Sequence, residues 1–500
     1  MNISFFKKNH SFIFLLSTFL LSIFLCGCQN KKEAHIPKSV EELTDCKIAT
    51  MLGSIQDINL TVQCPDCEIL RFSSFPEMLV AVEKGIADYT VLDSAAIVGA
   101  NIDKRGMQVD FCLNDHLPIA SIFRFEENDL CQQYNNFLAE IDQNGLNKDM
   151  QQRWLTDNAL TVTMPPIDLP TEGKPLRVGT IFSNFPLSFI KDNEWVGYEI
   201  ELTYRFSAYI GRPVEIKAYE FSAIFPALSS GKIDIATCFI SVTEERAKTV
   251  LYSDPYYLNQ SVCVGRSVEN NKQNSNSFLD NIKKGFVNNI IAEKRWKLLL
   301  DGLWETIFIS IFAILIGTVI GGLICALRMS KRKWCRNLAI GYISIMRGIP
   351  ILVFLMVMFY IVFATTRVTA TWVAIIAFSM NFGAYVSEMF RTSIESVDHG
   401  QVEAGRALGF SRRSTFVNFV MPQALHNIFP VYKGEAISLI KNTSVVGYIA
   451  IQDITKASDI IRSRTFDAFF PLLIITVIYF VLAWLLGLGL DYLNKKTTRP

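Results

Sequence analysis

Neither sign of charge prevails in this chain. Its 48 lysines and arginines stand against 47 aspartates and glutamates, a formal net charge of +1 over 500 residues. A basic nucleic-acid-binding arm and an acidic disordered tail are therefore unsupported. The eleven cysteines form no dense, regular framework, and Cys64 with Cys67 is a lone C-x-x-C. Such a pair is a weak sign of metal or redox chemistry, and no metal site is expected. It reads as a local disulfide if its segment is extracytoplasmic and as two buried thiols otherwise; the sequence leaves both open. No Walker A pattern occurs, so the chain does not hydrolyse ATP by itself. No TVGYG-like ion filter occurs either.

What is abundant is apolar. Half of the residues are hydrophobic, phenylalanine alone counts 37, and mean hydropathy is +0.27. These values, with charge concentrated before residue 300, indicate a membrane protein of two or three units. The N-terminus places Lys7, Lys8 and His10 before an apolar run from Ser11 to Leu25. That order is a targeting segment. It ends Leu25-Cys26-Gly27-Cys28 and resembles a bacterial lipoprotein signal. The resemblance implies cleavage before Cys28 and a lipid on its thiol; an uncleaved signal anchor is the alternative. Both send residues 29 onward across the membrane.

Residues 1–28 are thus read as signal, 29–45 as a polar tether and 46–264 as mixed α/β. Residues 265–298 are read as a linker, with Phe278, Ile282, Phe286 and Ile290 on one face of an amphipathic helix. Residues 299–494 are read as an all-α membrane domain. Uncharged runs at 306–327, 348–366, 368–387 and 468–490 have spanning length or nearly so. A fifth segment, 424–450, is interrupted by His426, Lys433, Glu435 and Lys441, polar groups that at membrane depth face protein or water. Five spans put three basic clusters inside when the N-terminal domain is outside. The clusters are Arg328 to Arg336, Arg391 to Arg413, and Lys495 to Arg499.

Residues 402–422 read VEAGRALGFSRRSTFVNFVMP. Glu403, Ala404, Gly405, Gly409, Phe416 and Pro422 fit the cytoplasmic loop of importer permeases of the ATP-binding-cassette superfamily, with Gly405 in place of the second alanine. Small residues let a short helix seat in a partner's groove, Gly409 permits a tight turn, and Arg412 and Arg413 can meet an acidic rim. Arg347-Gly348-Ile349-Pro350, Asn381 to Tyr385 with Glu388 and Arg391, and Lys441-Asn442-Thr443-Ser444 narrow this. Residues 300–494 resemble the polar amino acid importer permeases of the histidine and glutamine type. The resemblance implies a homodimer or paired permease, two cytoplasmic ATPase subunits that bind ATP and Mg in trans, and no enzymatic activity or cofactor in this chain.

The outer half resembles an amino-acid solute-binding protein in swapped order. PLRVGT, WVGYEIEL, FSAIFPALSSGKIDIA and SVTEERAKTVLYSDPYY, within 174–264, match the opening lobe. IATMLGSIQD, FSSFPEMLVAVEKGIADYTVLDSAA and LCQQYNNFLAEIDQNGLNKDMQQRW, within 46–160, match lobe two, so 46–160 is read as mainly lobe two and 174–264 as mainly lobe one. One circularly permuted, bilobed periplasmic-binding-protein-like domain follows. Two eroded tandem copies are the alternative, but each would expose sheet edges and an apolar face. The resemblance assigns Arg246 to the ligand α-carboxylate, for which a planar fork is suited, with Ser241 beside it. Phe221 becomes the cleft wall and Asp93 the acceptor of the α-ammonium. Ser54 and Gln56 stand at a helix start that also favours the carboxylate. Two positions depart from the family: Ile181 stands where an aspartate is common and Asn184 where an aromatic is expected.

The expected function is the membrane and substrate-binding subunit of an ATP-driven polar amino acid importer in a bacterial inner membrane, its binding domain on the outer side. A ligand-gated channel and a transport-dead sensor are the competing readings. The channel would leave the 402–422 loop unexplained. The sequence does not name the amino acid.

Overall fold

In the computed structural model the described residues are 36–497, apart from 44, 99, 101, 114–115, 157–160, 182–183, 268–282, 284, 365, 367, 466 and 468. The signal segment, Cys28, the tether to residue 35, residues 268–282 and 284 of the 265–298 linker, with Phe278 and Ile282, and Arg499 lie outside them.

The α/β region builds two sheets. The first takes β1 (Lys47–Met51), β2 (Glu68–Phe72), β3 (Tyr89–Asp93) and β4 (Met107–Cys112), and the second takes β5 (Leu117–Phe123), β6 (Leu176–Ile181), β9 (Val214–Tyr219), β10 (Ile235–Ser241), β11 (Leu251–Tyr252) and β12 (Tyr257–Asn259). A small hairpin, β7 (Phe189–Lys191) with β8 (Glu194–Val196), stands apart. The last strand, β13 (Ser261–Arg266), returns to the first sheet, whose order is β2-β1-β3-β13-β4. β1 runs parallel to β2 and β3, whereas β13 is antiparallel to β3 and β4. In the second sheet β6 runs parallel to β9 and β10, and β5 pairs antiparallel with β10.

Two corrections follow from this topology. The stretch from Leu130 to Trp154, expected in lobe two, belongs to the other lobe: 46–160 is mainly lobe two only through β4, and the chain has changed sheets by β5. Residues 117–154 therefore belong to lobe one, and β13 belongs to lobe two. The helix Asn128–Gln143 explains the first shift. Its Leu130, Tyr134, Phe137, Leu138 and Ile141 recur on one face and are buried, in one cluster with Phe123, Trp154, Tyr198 and Phe206. That apolar stripe has its complement only on the second sheet. The two crossings lie side by side. Leu113 N–H donates to Ser261 O at 2.8 Å, the Gln260 amide donates to Leu113 O at 2.8 Å, and Asn259 pairs with Leu117. Cys64 and Cys67 are joined as a disulfide, with Cα atoms 5.4 Å apart.

Among the described residues of the membrane half, three helices are long and apolar enough to span: Trp296–Arg328, Ala370–Glu395 and Phe469–Tyr492. A fourth crossing exists if Lys333–Gly348 and Ile351–Val362, bent by 107°, cross together. The run expected over 348–366 thus forms the helix Ile351–Val362, which reaches spanning length only together with Lys333–Gly348. Pro350 has no N–H to continue a helix and biases Ile349 out of the helical region; Ile349 sits at ψ 130°. The fifth expected segment forms the helix Met421–Asn442, with Pro430 inside it. Its Lys433 reaches Asp491 at 2.7 Å, so this interrupting charge faces a partner on the last helix. Of the expected amphipathic helix, the described Val287–Ile291 is a single wide turn.

Candidate functional site

The six residues assigned to a ligand come from four stretches of chain, and the structure brings all six to one cleft. Met51, Ser54, Gln56, Phe75 and Asp93 line it from lobe two, and Ile181, Asn184, Tyr219, Phe221, Ser241 and Arg246 from lobe one.

Arg246 lies in a short helical turn after β10, begun by Thr243, whose hydroxyl accepts from Arg246 N–H at 3.3 Å. Its guanidinium donates to Ser241 O at 3.3 Å and crosses the cleft to Gly53 O at 2.8 Å. It stands 5.7 Å from the Phe221 ring centroid and 5.5 Å from that of Phe225. Aromatic faces stabilise the cation and hold its plane. An arginine has five N–H donors, so donors remain for a carboxylate in the plane of the fork.

Asp93 ends β3 on the opposite lobe. Its Oδ1 accepts from Gln56 Nε2 at 2.7 Å and Asn259 Nδ2 at 2.6 Å. Both donors are neutral side-chain amides. Ser54 caps the helix Ile55–Gln63 and its hydroxyl accepts from Asp57 N–H at 3.2 Å. That oxygen serves its own helix, so this turn presents an anion chiefly with the backbone N–H groups of the first turn.

Beneath the cleft lies a buried carboxyl the sequence reading passed over. Glu199 accepts from Phe239 N–H at 2.6 Å and from the Tyr256 hydroxyl. Burial raises its pKa to about 7, against those two hydrogen bonds. Phe239, which lines the cleft, sits at φ 55°, where β10 shifts register against β5.

Sequence reasoning also missed Asn259, and it missed a third set of lining residues: Lys456, Asp459 and Arg462 on the helix Ile454–Thr465. The available signals were a polar residue beside the crossing and charges at i, i+3 and i+6 between two apolar runs.

The five residues assigned to partner coupling lie far along the chain on an exposed helix–turn unit. Asp398 caps the helix His399–Ala407, accepting from Gly400 N–H at 2.7 Å. Glu403, Ala404 and Arg412 are exposed. Gly405 is buried, and a Cβ there would stand 2.8 Å from Thr415 Cγ2. That contact explains glycine in place of the second alanine. Gly409 turns the chain at φ 85°. Around it Leu408 is 74% exposed and Phe410 41%, the Phe410 ring lying 5.2 Å from that of Phe419. Glu388 and Arg391 pair at 2.7 Å.

Residues 307–499 match the family described as binding-protein-dependent transport system inner membrane component, and residues 176–302 match bacterial extracellular solute-binding proteins, family 3. A protein of Rickettsia typhi named for a glutamine transport system permease is 32% identical over 200 residues, 40% of this chain and 92% of its own length. The L-cystine transport system permease protein TcyB of Bacillus subtilis is 33% identical over 213 residues, 42% of this chain and 91% of its own. A solved amino acid ABC transporter with histidines is 31% identical, with a TM-score of 0.38, over 44% of this chain and 99% of that one.

Proposed function

The chain belongs to the family of binding-protein-dependent transport system inner membrane components, as an amino acid ABC importer permease fused to a solute-binding domain, and we propose that its solute is a zwitterionic polar amino acid held between Arg246 and Asp93. One observation carries this reading: a guanidinium and a carboxylate from opposite lobes line the same cleft. A zwitterion satisfies both at once, and closure is favoured only when both are satisfied. Ser241 and the turn at Ser54 assist the carboxylate, and Phe221 supplies the wall. Glutamine and cystine, in the names of the relatives, fit this chemistry. Ile181 removes a second acid from the cleft, which favours a neutral side chain over a cationic one.

In this reading the α/β region is one permuted domain on the outer side of the inner membrane. The interleaving of strands from both segments in each sheet supports it. The membrane half has five spans, the fifth being Met421–Asn442. It pairs with a second copy of the chain, and a lipid on Cys28 keeps the receptor at the outer surface. Two receptors per dimer raise the local receptor concentration at the pore mouth. Hydrolysis of ATP comes from two separate subunits, docked at Glu403, Ala404, Gly405, Gly409 and Arg412; exposed Leu408 and Phe410 support a protein partner there.

The test is calorimetric titration of the full chain in lipid nanodiscs with each of the twenty L-amino acids. At least one polar amino acid binds, and its deaminated analogue binds more weakly. Absence of binding by all twenty overturns the reading.

A further inference from the structure

The helix Ile454–Thr465 precedes the last membrane helix, yet three of its side chains line the solute cleft. Lys456, Asp459 and Arg462 are spaced i, i+3 and i+6, which puts them along one face. Lys456 is 5% exposed and pairs with Glu220, the residue just before Phe221 on lobe one. Arg462 pairs with Glu77 of the lobe-two helix Phe75–Glu83 at 2.8 Å, and with Asp459 at 2.9 Å. One helical face therefore carries a cation for a carboxylate on each lobe.

The two lobes meet the membrane half by different physics. On lobe one, Phe221, Ile224 and Leu228 share an apolar cluster with Leu355, Phe359 and Val446 of the membrane half. Lys232 donates to Phe363 O, and Arg464 lies 5.0 Å and 4.9 Å from the Phe185 and Phe189 ring centroids. Separating that junction would expose apolar area to water. The buried cluster of lobe two, around Leu79, Val82, Leu92 and Val264, is built from its own residues. This lobe meets the helix through the Glu77–Arg462 pair, whose charges regain hydration when parted, at small net cost.

We propose that the Ile454–Thr465 helix is the third wall of the solute cleft, and that Lys456 and Arg462 set solute affinity as positioning residues: Lys456 on a fixed lobe one, Arg462 on a lobe two that moves. The solute is then enclosed by the permease itself as well as by the receptor. This rests on the amino-acid cleft above, and the tests separate the two.

The full chain in nanodiscs carries either Glu220→Cys with Lys456→Cys or Glu77→Cys with Arg462→Cys, each beside its single-cysteine controls. Oxidative cross-linking is read by peptide mass spectrometry, with and without an equimolar mixture of the twenty L-amino acids. The lobe-one pair cross-links equally in both conditions. The lobe-two pair cross-links roughly fivefold faster with the mixture, a population shift toward closure. Failure of both pairs to cross-link overturns the third wall even if no amino acid binds the parent. Equal lobe-two rates, in a parent that binds an amino acid, overturn the moving lobe.

The second arm is a double-mutant cycle on affinity for whichever of the twenty binds the parent most tightly. Arg462→Met and Glu77→Gln each weaken it about tenfold, and the double variant is no weaker than the worse single, because the pair acts as a unit. Arg462→Lys keeps affinity within roughly threefold, since a single charge contact suffices. Unchanged affinity in either single variant, or additive losses in the double, overturns the role of the pair.

Discussion

The outer cleft and the exposed loop at 398–422 treat their side chains in opposite ways. At the cleft charge is half-buried and answered from within the chain: Asp93 by Gln56 and Asn259, Glu220 by Lys456, Glu77 by Arg462. At the loop apolar side chains are exposed, Leu408 foremost, with Val417 and with Phe410, whose ring also meets that of Phe419 at 5.2 Å. A charge drawn partly out of water is destabilising without a partner, the more so the deeper it lies, so the chain completes the cleft itself. An exposed leucine costs little, so the loop can wait for another protein. The difference separates a site read from one chain from a surface whose meaning needs a second.

The largest expected effect lies on the side that is complete. Arg246→Ala leaves a bound carboxylate facing a cleft without its fork. Truncating one side of a buried charged pair costs roughly 2–5 kcal/mol, a loss of about 30-fold or more in affinity. Arg246→Lys recovers little, because a point charge cannot make two parallel hydrogen bonds. Titration of the full-length variants reads both. Binding within threefold of the parent would remove Arg246 from the site.

A second break concerns the floor of the cleft. The Glu199 carboxyl holds its proton up to about pH 7 when folded, against an ordinary value of 4.5. Between these values the folded state binds a proton that the unfolded state has released. Stability from this group is therefore full below about pH 4.5, falls as pH rises to about 7, and is level above that. The total is of order 3 kcal/mol. Denaturant unfolding of the outer half, followed from pH 4.5 to 8, should show that slope, and Glu199→Gln should flatten it. A parent slope unchanged by Glu199→Gln would place the carboxyl in its ordinary ionised state.

The same contrast explains what could be read from residues alone. The loop was legible because its parts are contiguous: Glu403, Gly405 and Gly409 stand within seven positions, and their spacing is the motif. Arg246, Asp93 and Phe221 were legible only through resemblance, since nothing local ties residue 93 to residue 246. The stretch 130–154 was placed in the wrong lobe because neither its apolar stripe nor β5 before it carries a mark of which sheet it joins; pairing of β5 with β10 decides that. The bend at Pro350 was missed because hydropathy averages over it. Lys456, Asp459 and Arg462 escaped because charges between two apolar runs read as an ordinary solvated loop, and only tertiary packing turns them toward Glu220 and Glu77.

On the incomplete side, Gly409→Val sharpens the contrast. At φ 85° a β-branched residue is strained by about 1–3 kcal/mol. The strain is local to the turn that aims Leu408 and Phe410. ATP hydrolysis in the reconstituted transporter should become uncoupled from uptake, while solute affinity of the chain stays as in the parent. Unimpaired uptake into vesicles would mean that the turn is not what positions the partner.

The smallest effect on the chain itself is expected at Leu408. With 74% of its surface exposed, the side chain contributes almost nothing to folding, and surface substitutions of this kind stay within about 0.5 kcal/mol. Leu408→Ser should therefore leave the thermal midpoint and the solute affinity unchanged. If the leucine is an anchor that fills a pocket in the ATPase, its truncation removes a buried contact at the centre of that interface, where single residues carry about 1–2 kcal/mol or more. Co-purification of the ATPase with the chain should fall about tenfold, and solute-stimulated hydrolysis should fall with it. Glu403→Gln, on the same helix, tests whether charge shares the task. A loss with Leu408→Ser alone makes the surface a hydrophobic dock; a loss with Glu403→Gln alone makes it an electrostatic one. Full retention by both would return the 398–422 loop to an ordinary inside loop, and the contrast with the cleft would no longer mark a partner.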